Sequence, residues 1–195
     1  MFDYSSRLAL LGYRPLRGED DATNVDAKSL LEHVGFDVPE DYREFLCAFP
    51  RAGVFDKRTV FSGIQASPWA SDGSEVLEVL YGYCSNKSND LIKVRERYRV
   101  QLPAHFLAIG QVTGANLICL DMRRVSFGRI YVWDHEHLGG DEEGFYLAAE
   151  SFIAFIESLR FGDEQPAARG AKLIKMELSD ALRARAAEIL KNRKG

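Results

Sequence analysis

The densest run of residues able to do chemistry is Asp134-His135-Glu136-His137, with Asp121 on the apolar stretch before it. On a strand, alternate side chains share a face, so His135 and His137 could present two imidazoles together. Two imidazoles and a carboxylate would suit a divalent metal ion. The chemistry would then be metal-dependent hydrolysis by Asp121, His135 and His137. No third His or Cys recurs at a ligand spacing, and a polar strand end running into a surface loop explains the same residues. The preferred reading is therefore no metal, no cofactor and no catalytic residue. The segment has a second property. Asp134, Glu136, Asp141, Glu142 and Glu143 crowd carboxylates beside an expected strand end. Such a patch attracts a basic protein surface and speeds its encounter.

Other reactive patterns are missing. There is no GxSxG, no phosphate-binding GxxxxGK[ST] and no GxGxxG. Thr113-Gly114-Ala115-Asn116 is a turn with a single glycine, which is not a phosphate cradle. These classes are excluded, and a site built from scattered residues stays open. Cys47, Cys84 and Cys119 are odd in number and widely spaced, without a CxxC pair. Their apolar neighbours mark all three as reduced core residues of a cytosolic protein. Lys93, Arg95, Arg97 and Arg99 could touch nucleic acid, but Glu96 lies among them. A solvated helix face is the simpler account, with no direct nucleic-acid contact.

These residues need elements to hold them. A short amphipathic segment over 1–12 ends at Gly12, and an acidic loop spans 17–26. A helix is expected around Asp26 to His33. A second covers Val38 to Leu46, with Pro39 in its first turn, Glu40 and Asp41 at its positive end, and Tyr42, Phe45, Leu46 and Phe49 on one face. Strands are expected over Val54 to Ile64 and Val76 to Tyr83, then a helix carrying Leu91, Val94 and Tyr98. Three more strands follow at Phe106 to Gly110, Asn116 to Met122 and Ile130 to Trp133. The acidic loop runs from Asp134 to Gly144. A helix over Ala148 to Leu159 presents Phe152, Phe155, Ile156 and Leu159 on one side. Trp133, Tyr131, Tyr42 and Phe45 fall at positions expected of a core.

The predicted architecture is a single α+β domain over 1–162, mainly an antiparallel sheet packed by helices. Residues 163–195 form a linker and a basic amphipathic C-terminal helix beginning near Ser179. Charge divides in the same way. From Arg169 to Gly195 there are eight basic and three acidic residues, and the rest carries 17 basic and 26 acidic groups, a net of −9. An acidic body disfavours phosphate backbones and favours basic partners. With 46% hydrophobic residues the chain can bury a core. No basic-then-apolar leader and no membrane-length apolar run is visible, so the expected location is the cytoplasm.

Four pieces in order resemble the SUKH superfamily (the Smi/Knr type). They are Val38-Pro-Glu-Asp-Tyr-Arg-Glu-Phe-Leu46; Leu102-Pro-Ala-His-Phe-Leu-Ala-Ile-Gly110 with Thr113-Gly-Ala-Asn-Leu-Ile-Cys-Leu-Asp121; Gly128-Arg-Ile-Tyr-Val-Trp-Asp-His-Glu136; and Ala149-Glu-Ser-Phe-Ile-Ala-Phe-Ile-Glu-Ser-Leu159. The resemblance covers about 26–160. It departs where Pro50-Arg-Ala-Gly53 stands in place of the family's Asn-Gly pair, and in the single glycine before Asp121.

The resemblance implies an α+β fold and a protein-interaction role. Bacterial relatives bind and neutralise secreted or contact-delivered toxins, often nucleases, and fungal relatives regulate cell-wall growth. It implies no catalytic residues. The expected function is an immunity protein against a cognate, basic toxin domain, with Asp134, Glu136, Asp141, Glu142 and Glu143 at its surface. A regulatory or scaffold module without a toxin partner is the alternative, and the hydrolase is a second one. Partner identity and oligomeric state are not readable from the sequence.

Overall fold

The computed structural model describes residues 2–16, 32, 37–70, 72–84, 86, 88–137 and 143–162. The elements in chain order are α1 (Tyr4–Leu10), β1 (Tyr13–Pro15), α2 (Glu40–Ala48), β2 (Gly53–Phe61), β3 (Glu75–Leu80), α3 (Leu91–Tyr98), β4 (Phe106–Val112), β5 (Leu117–Asp121), β6 (Ile130–Trp133), β7 (Phe145–Ala149), α4 (Phe152–Ser158) and β8 (Arg160–Phe161). Of the predicted helix at 26–33 only Glu32 is described, in helical conformation, and the helix predicted beyond Ser179 lies outside the described residues.

The strands form one antiparallel meander in the order β1-β2-β3-β4-β5-β6-β7, with β8 also pairing β2. This is the α+β class that the sequence indicates. β1 and β8 share one edge of β2: β1 pairs Gly53 to Phe55, and β8 pairs Thr59 and Val60. Between those two stretches the register against β3 shifts, and Phe55 to Arg58 swing out of the ladder. The opposite edge is also covered. Ile64 and Gln65 donate backbone hydrogen bonds to Ala148 and Leu147 of β7, at 3.3 and 2.8 Å. Very short edge strands on one side and the loop against β7 on the other limit open templates for pairing with other chains.

Both faces of the sheet are packed, which is why β4 and β5 read as nearly unbroken apolar runs. The pairs Leu77↔Val112, Gln111↔Leu117 and Leu117↔Trp133 carry the register across the sheet. Val112 and Gln111 alternate, so Leu77 and Trp133 point to opposite faces. On one face, Phe61 meets Phe155 of α4 with ring centroids 5.0 Å apart. Phe152 there meets Tyr42 and Phe45 of α2 at 5.0 and 4.9 Å, and Tyr4 of α1 joins them. On the other face, Tyr98 of α3 meets Trp133 edge-on at 5.9 Å.

Polar clamps tie the first helical layer at both ends. Asp41 Oδ2 accepts from Ile153 N at 3.1 Å, supplementing the N-cap that Ser151 gives α4. The Arg7 guanidinium donates to the carbonyls of Ile156, Glu157 and Leu159 at the other end of α4. A cation is favoured there by the helix dipole.

Three readings of the sequence are corrected. Phe145–Ala149 is a strand, and α4 starts only at Phe152. Phe145, Leu147 and Ala149 alternate against β6, and Ser151, extended at φ −154°, makes the break. Pro39 stands just before α2 as its cap residue rather than in its first turn. Of the cysteines, only Cys119 is buried; Cys47 is exposed and Cys84 half-buried, and all three are free. Cys47 shares helix α2 with buried Phe45 and Leu46 but turns to the other side. The short strands β1 and β8 were not anticipated.

Candidate functional site: the two ends of strand β6

β6 links two loops of opposite character. Beyond Trp133 lies the acidic hairpin connection to β7. Asp134 N donates to Gly144 O at 3.0 Å, which continues the β6–β7 ladder one step past the strands. Asp134 Oδ1 accepts from Glu136 N at 3.0 Å, forming a local turn. Gly144 sits at φ +87°, and a Cβ there would come within 2.9 Å of His137 Cβ, so both backbone and space call for glycine. The structure thus brings Asp134, Glu136 and Glu143 to one hairpin, with Glu136 and Glu143 exposed. Asp141 and Glu142 lie outside the described residues.

The metal reading does not assemble. His135 is held by Asn116, whose Oδ1 lies 3.2 Å from His135 N and 2.9 Å from its Nδ1. Asn116 precedes β5, whereas Asp121 ends it, so the two are about 17 Å apart along the strand at the usual rise. Asp121 is fully buried and already partnered. It takes Arg123 Nε at 3.1 Å on each oxygen, Arg123 Nη2 at 2.6 Å, Arg123 N at 2.8 Å and Ser126 Oγ at 2.7 Å. Burial opposes its ionisation, but these bonds outweigh burial and hold its carboxyl below the ordinary value. Asp121, His135 and His137 therefore do not form a metal set. Among the described residues no group of three or more His, Cys, Asp or Glu could hold a metal ion.

At the other end of β6 the loop Met122-Arg-Arg-Val-Ser-Phe-Gly-Arg129 carries three arginines and no carboxylate. Asp121 is its anchor through the bonds just given. Ser126 N donates to Arg123 O, Arg129 N to Ser126 O and Gly128 N to Asp121 O, at 3.1, 3.1 and 2.9 Å. The loop is thus a tied knuckle. It exposes Val125 at 87% and Phe127 at 46%. Sequence reading missed this feature, although an apolar pair inside an arginine-rich turn was a usable signal.

Between these ends, face-B aromatics of the sheet (the side carrying α3) form one cluster. Phe106 stacks on Phe145 at 4.2 Å, Tyr131 meets Phe106 edge-on at 5.6 Å, and Trp133 stacks with Phe145 at 6.1 Å. The Arg123 guanidinium lies over Phe106 at 5.4 Å. A recess of about 90 Å³ beside Phe106 is lined by Arg95, Tyr98, Arg99, Leu102, Pro103 and Ala104. That is smaller than ordinary ligand pockets. On α3, Lys93 pairs with Glu96 at 3.1 Å, as a solvated face would. No helix among the described residues is long and apolar enough to cross a membrane.

The comparisons agree with the resemblance read from the sequence. The chain is 31% identical over 147 residues to the SPbeta prophage-derived uncharacterized protein YokK of Bacillus subtilis (strain 168), covering 70% of this chain and 74% of that protein. No solved structure matches the chain. Residues 21–158 match the SMI1 / KNR4 family (SUKH-1), and this protein belongs to that family.

Proposed function

We propose that this protein is an immunity protein that binds a cognate toxin domain and neutralises it by occlusion, without catalysis. The observation that carries the reading is the β6–β7 hairpin. Asp134 pairs with Gly144 on the continued two-strand ladder, and Glu136 and Glu143 beside it are open to solvent. Family membership supports a protein partner. An acidic surface of this kind steers a basic partner and can cover a positively charged nucleic-acid-binding cleft. Asp141 and Glu142 would extend the same surface. The toxin that fits is a basic one, such as a nuclease.

The test uses the full chain as bait in native extract at low and high salt, read by mass spectrometry, followed by co-expression with the captured protein. A stoichiometric, salt-sensitive basic partner whose toxicity is relieved supports the reading. Capture of an acidic housekeeping protein with no rescue favours the regulatory module instead.

A further inference from the structure

We propose that residues 62–70 form a pH-sensitive strap, which closes the curled sheet against β7 while the Glu75 carboxyl keeps its proton and lets go when that proton is lost. The inference goes beyond the toxin reading and does not depend on it. The strap leaves the end of β2 and reaches the far edge of the sheet. Ile64 N and Gln65 N donate to Ala148 O and Leu147 O, at 3.3 and 2.8 Å. Gln65 Oε1 accepts from Leu147 N at 2.8 Å, so one side chain completes the pairing that a strand residue would give. The Trp69 ring meets Tyr146 edge-on at 5.2 Å. Gly63 permits the close approach, since a Cβ there would lie 2.7 Å from Gln65 O and 3.3 Å from Leu147 O.

The latch is Glu75, the first residue of β3, whose side chain lies under the strap at 6% exposure. Ile64, Gln65, Ala66 and Pro68 of the strap are exposed, whereas Ser67 is buried. The Ser67 hydroxyl donates to Glu75 Oε1. Trp69 Nε1 is buried beside the same carboxyl but falls short of hydrogen-bond geometry. No cation pairs with Glu75 among the described residues. Arg160 of β8 comes close, but it donates to the flanking hydroxyls of Ser62 and Ser74, at 3.1 and 2.9 Å. From β2 the residue opposite Glu75 is Phe61, which Phe155 of α4 covers, and β7 contributes Tyr146 against Trp69. The one carboxylate acting on Glu75 is Asp72, in the turn before β3. Burial therefore raises the Glu75 carboxyl above its ordinary value; Ser67 and Trp69 offset this in part, and Asp72 adds to it. An ionised carboxylate with one hydroxyl donor and no cation is costly in such a site. The latch accordingly contributes fully below the ordinary carboxyl value and is lost as pH rises through the raised one. Opening the strap hydrates Glu75 and uncovers the Leu147 and Ala148 backbone groups at the β7 edge.

The experiment is a pH titration of the full chain labelled with 5-fluorotryptophan, read by fluorine NMR. The two tryptophans, Trp69 and Trp133, give two signals. Trp133 packs against Tyr98 on the other face of the sheet and serves as internal reference. The Trp69 signal should move with a single midpoint above the ordinary glutamate value, and the Trp133 signal should not follow it. Two variants accompany the wild type, both checked by thermal melting. Glu75→Gln, neutral and of the same shape, should hold Trp69 at its low-pH position throughout. Asp72→Asn keeps the oxygen that accepts from Ser74 N and removes the charge, so it should lower the midpoint. The proposal is overturned if the wild-type Trp69 signal does not titrate, or if a folded Glu75→Gln protein titrates like the wild type. It also fails if Asp72→Asn leaves the midpoint in place or raises it, and that arm decides alone should Glu75→Gln not fold.

Discussion

Phe106 on β4 and Phe145 on β7 stack with centroids 4.2 Å apart and planes 11° apart, although β5 and β6 lie between their strands. Three inter-strand steps would separate those backbones by about 14 Å in a flat sheet. The rings meet because the sheet curls, helped by register shifts within the β3–β4, β4–β5 and β6–β7 pairs. The aromatic cluster is therefore a sensor of sheet curvature. Phe145→Ala should cost about 3 kcal/mol or more, and a double-mutant cycle with Phe106→Ala should show coupling of about 1 kcal/mol. Denaturant melts of the four proteins measure both. Strict additivity would mean that the rings do not depend on each other.

The anchor of the knuckle gives a second prediction. Arg123→Met leaves the buried Asp121 carboxylate without its cation, and the cost should be about 3 kcal/mol. Asp121 also makes stability depend on pH. Its folded-state pKa is depressed, so its contribution is complete above the unfolded carboxyl value and drains away as pH falls through the folded one. Acid unfolding should therefore shift to higher pH in the Arg123→Met protein. An unchanged acid midpoint would show that the pair is not a stability determinant.

The β4–β5 turn stores local strain. Gly114 and Ala115 both have positive φ, +89° and +67°, the left-handed region that favours glycine. Alanine pays for that conformation with Cβ crowding, at about 1 kcal/mol. Ala115→Gly should raise the melting temperature, and Ala115→Val should lower it. A lower melting temperature for the glycine variant would contradict the geometry.

Tyr42 is buried on α2, and its hydroxyl has no hydrogen-bond partner among the described residues. Burial, then the neighbouring Tyr13, raises its pKa far above the ordinary phenol value. Removing an unpaired buried hydroxyl while keeping the ring should stabilise the fold by about 1 kcal/mol. Tyr42→Phe therefore should melt higher than the wild type. A fall of similar size would reveal a partner for the hydroxyl.

The acidic hairpin should be separable from stability. Glu136→Lys with Glu143→Lys alters exposed side chains and should change unfolding free energy by no more than about 0.5 kcal/mol. Binding to the basic partner proposed above should nevertheless weaken markedly at low salt and little at high salt. Calorimetric titration at two ionic strengths reads both. Full binding by a folded variant would remove these residues from the interface.

Much of the fold is legible along the chain because it rests on local periodicity. The helix carrying Tyr42 and Phe45, the strand Ile130 to Trp133 and the ordered pieces of the family resemblance are all one-dimensional patterns. Charge density at Asp134 to Glu143 is equally local. Phe145–Ala149 was hidden because its apolar run joins that of the following helix, and only pairing with β6 separates the two. β1 and β8 are too short to show a period, and they exist because β2 offers them an edge. The cysteines, too, looked alike from their neighbours, whereas Cys47 and Cys119 differ in which way their element turns them.

By itself, then, the sequence determined the class of fold, the family and the acidic segment, all carried by spacing and composition. Tertiary structure alone decided which groups meet. It placed Asp121 at the far end of β5 from His135 and spent its carboxylate on Arg123 and Ser126, because an ion buried in an apolar sheet must find a partner nearby. In doing so it dissolved a tempting metal set and fixed a rigid knuckle that displays Val125 and Phe127.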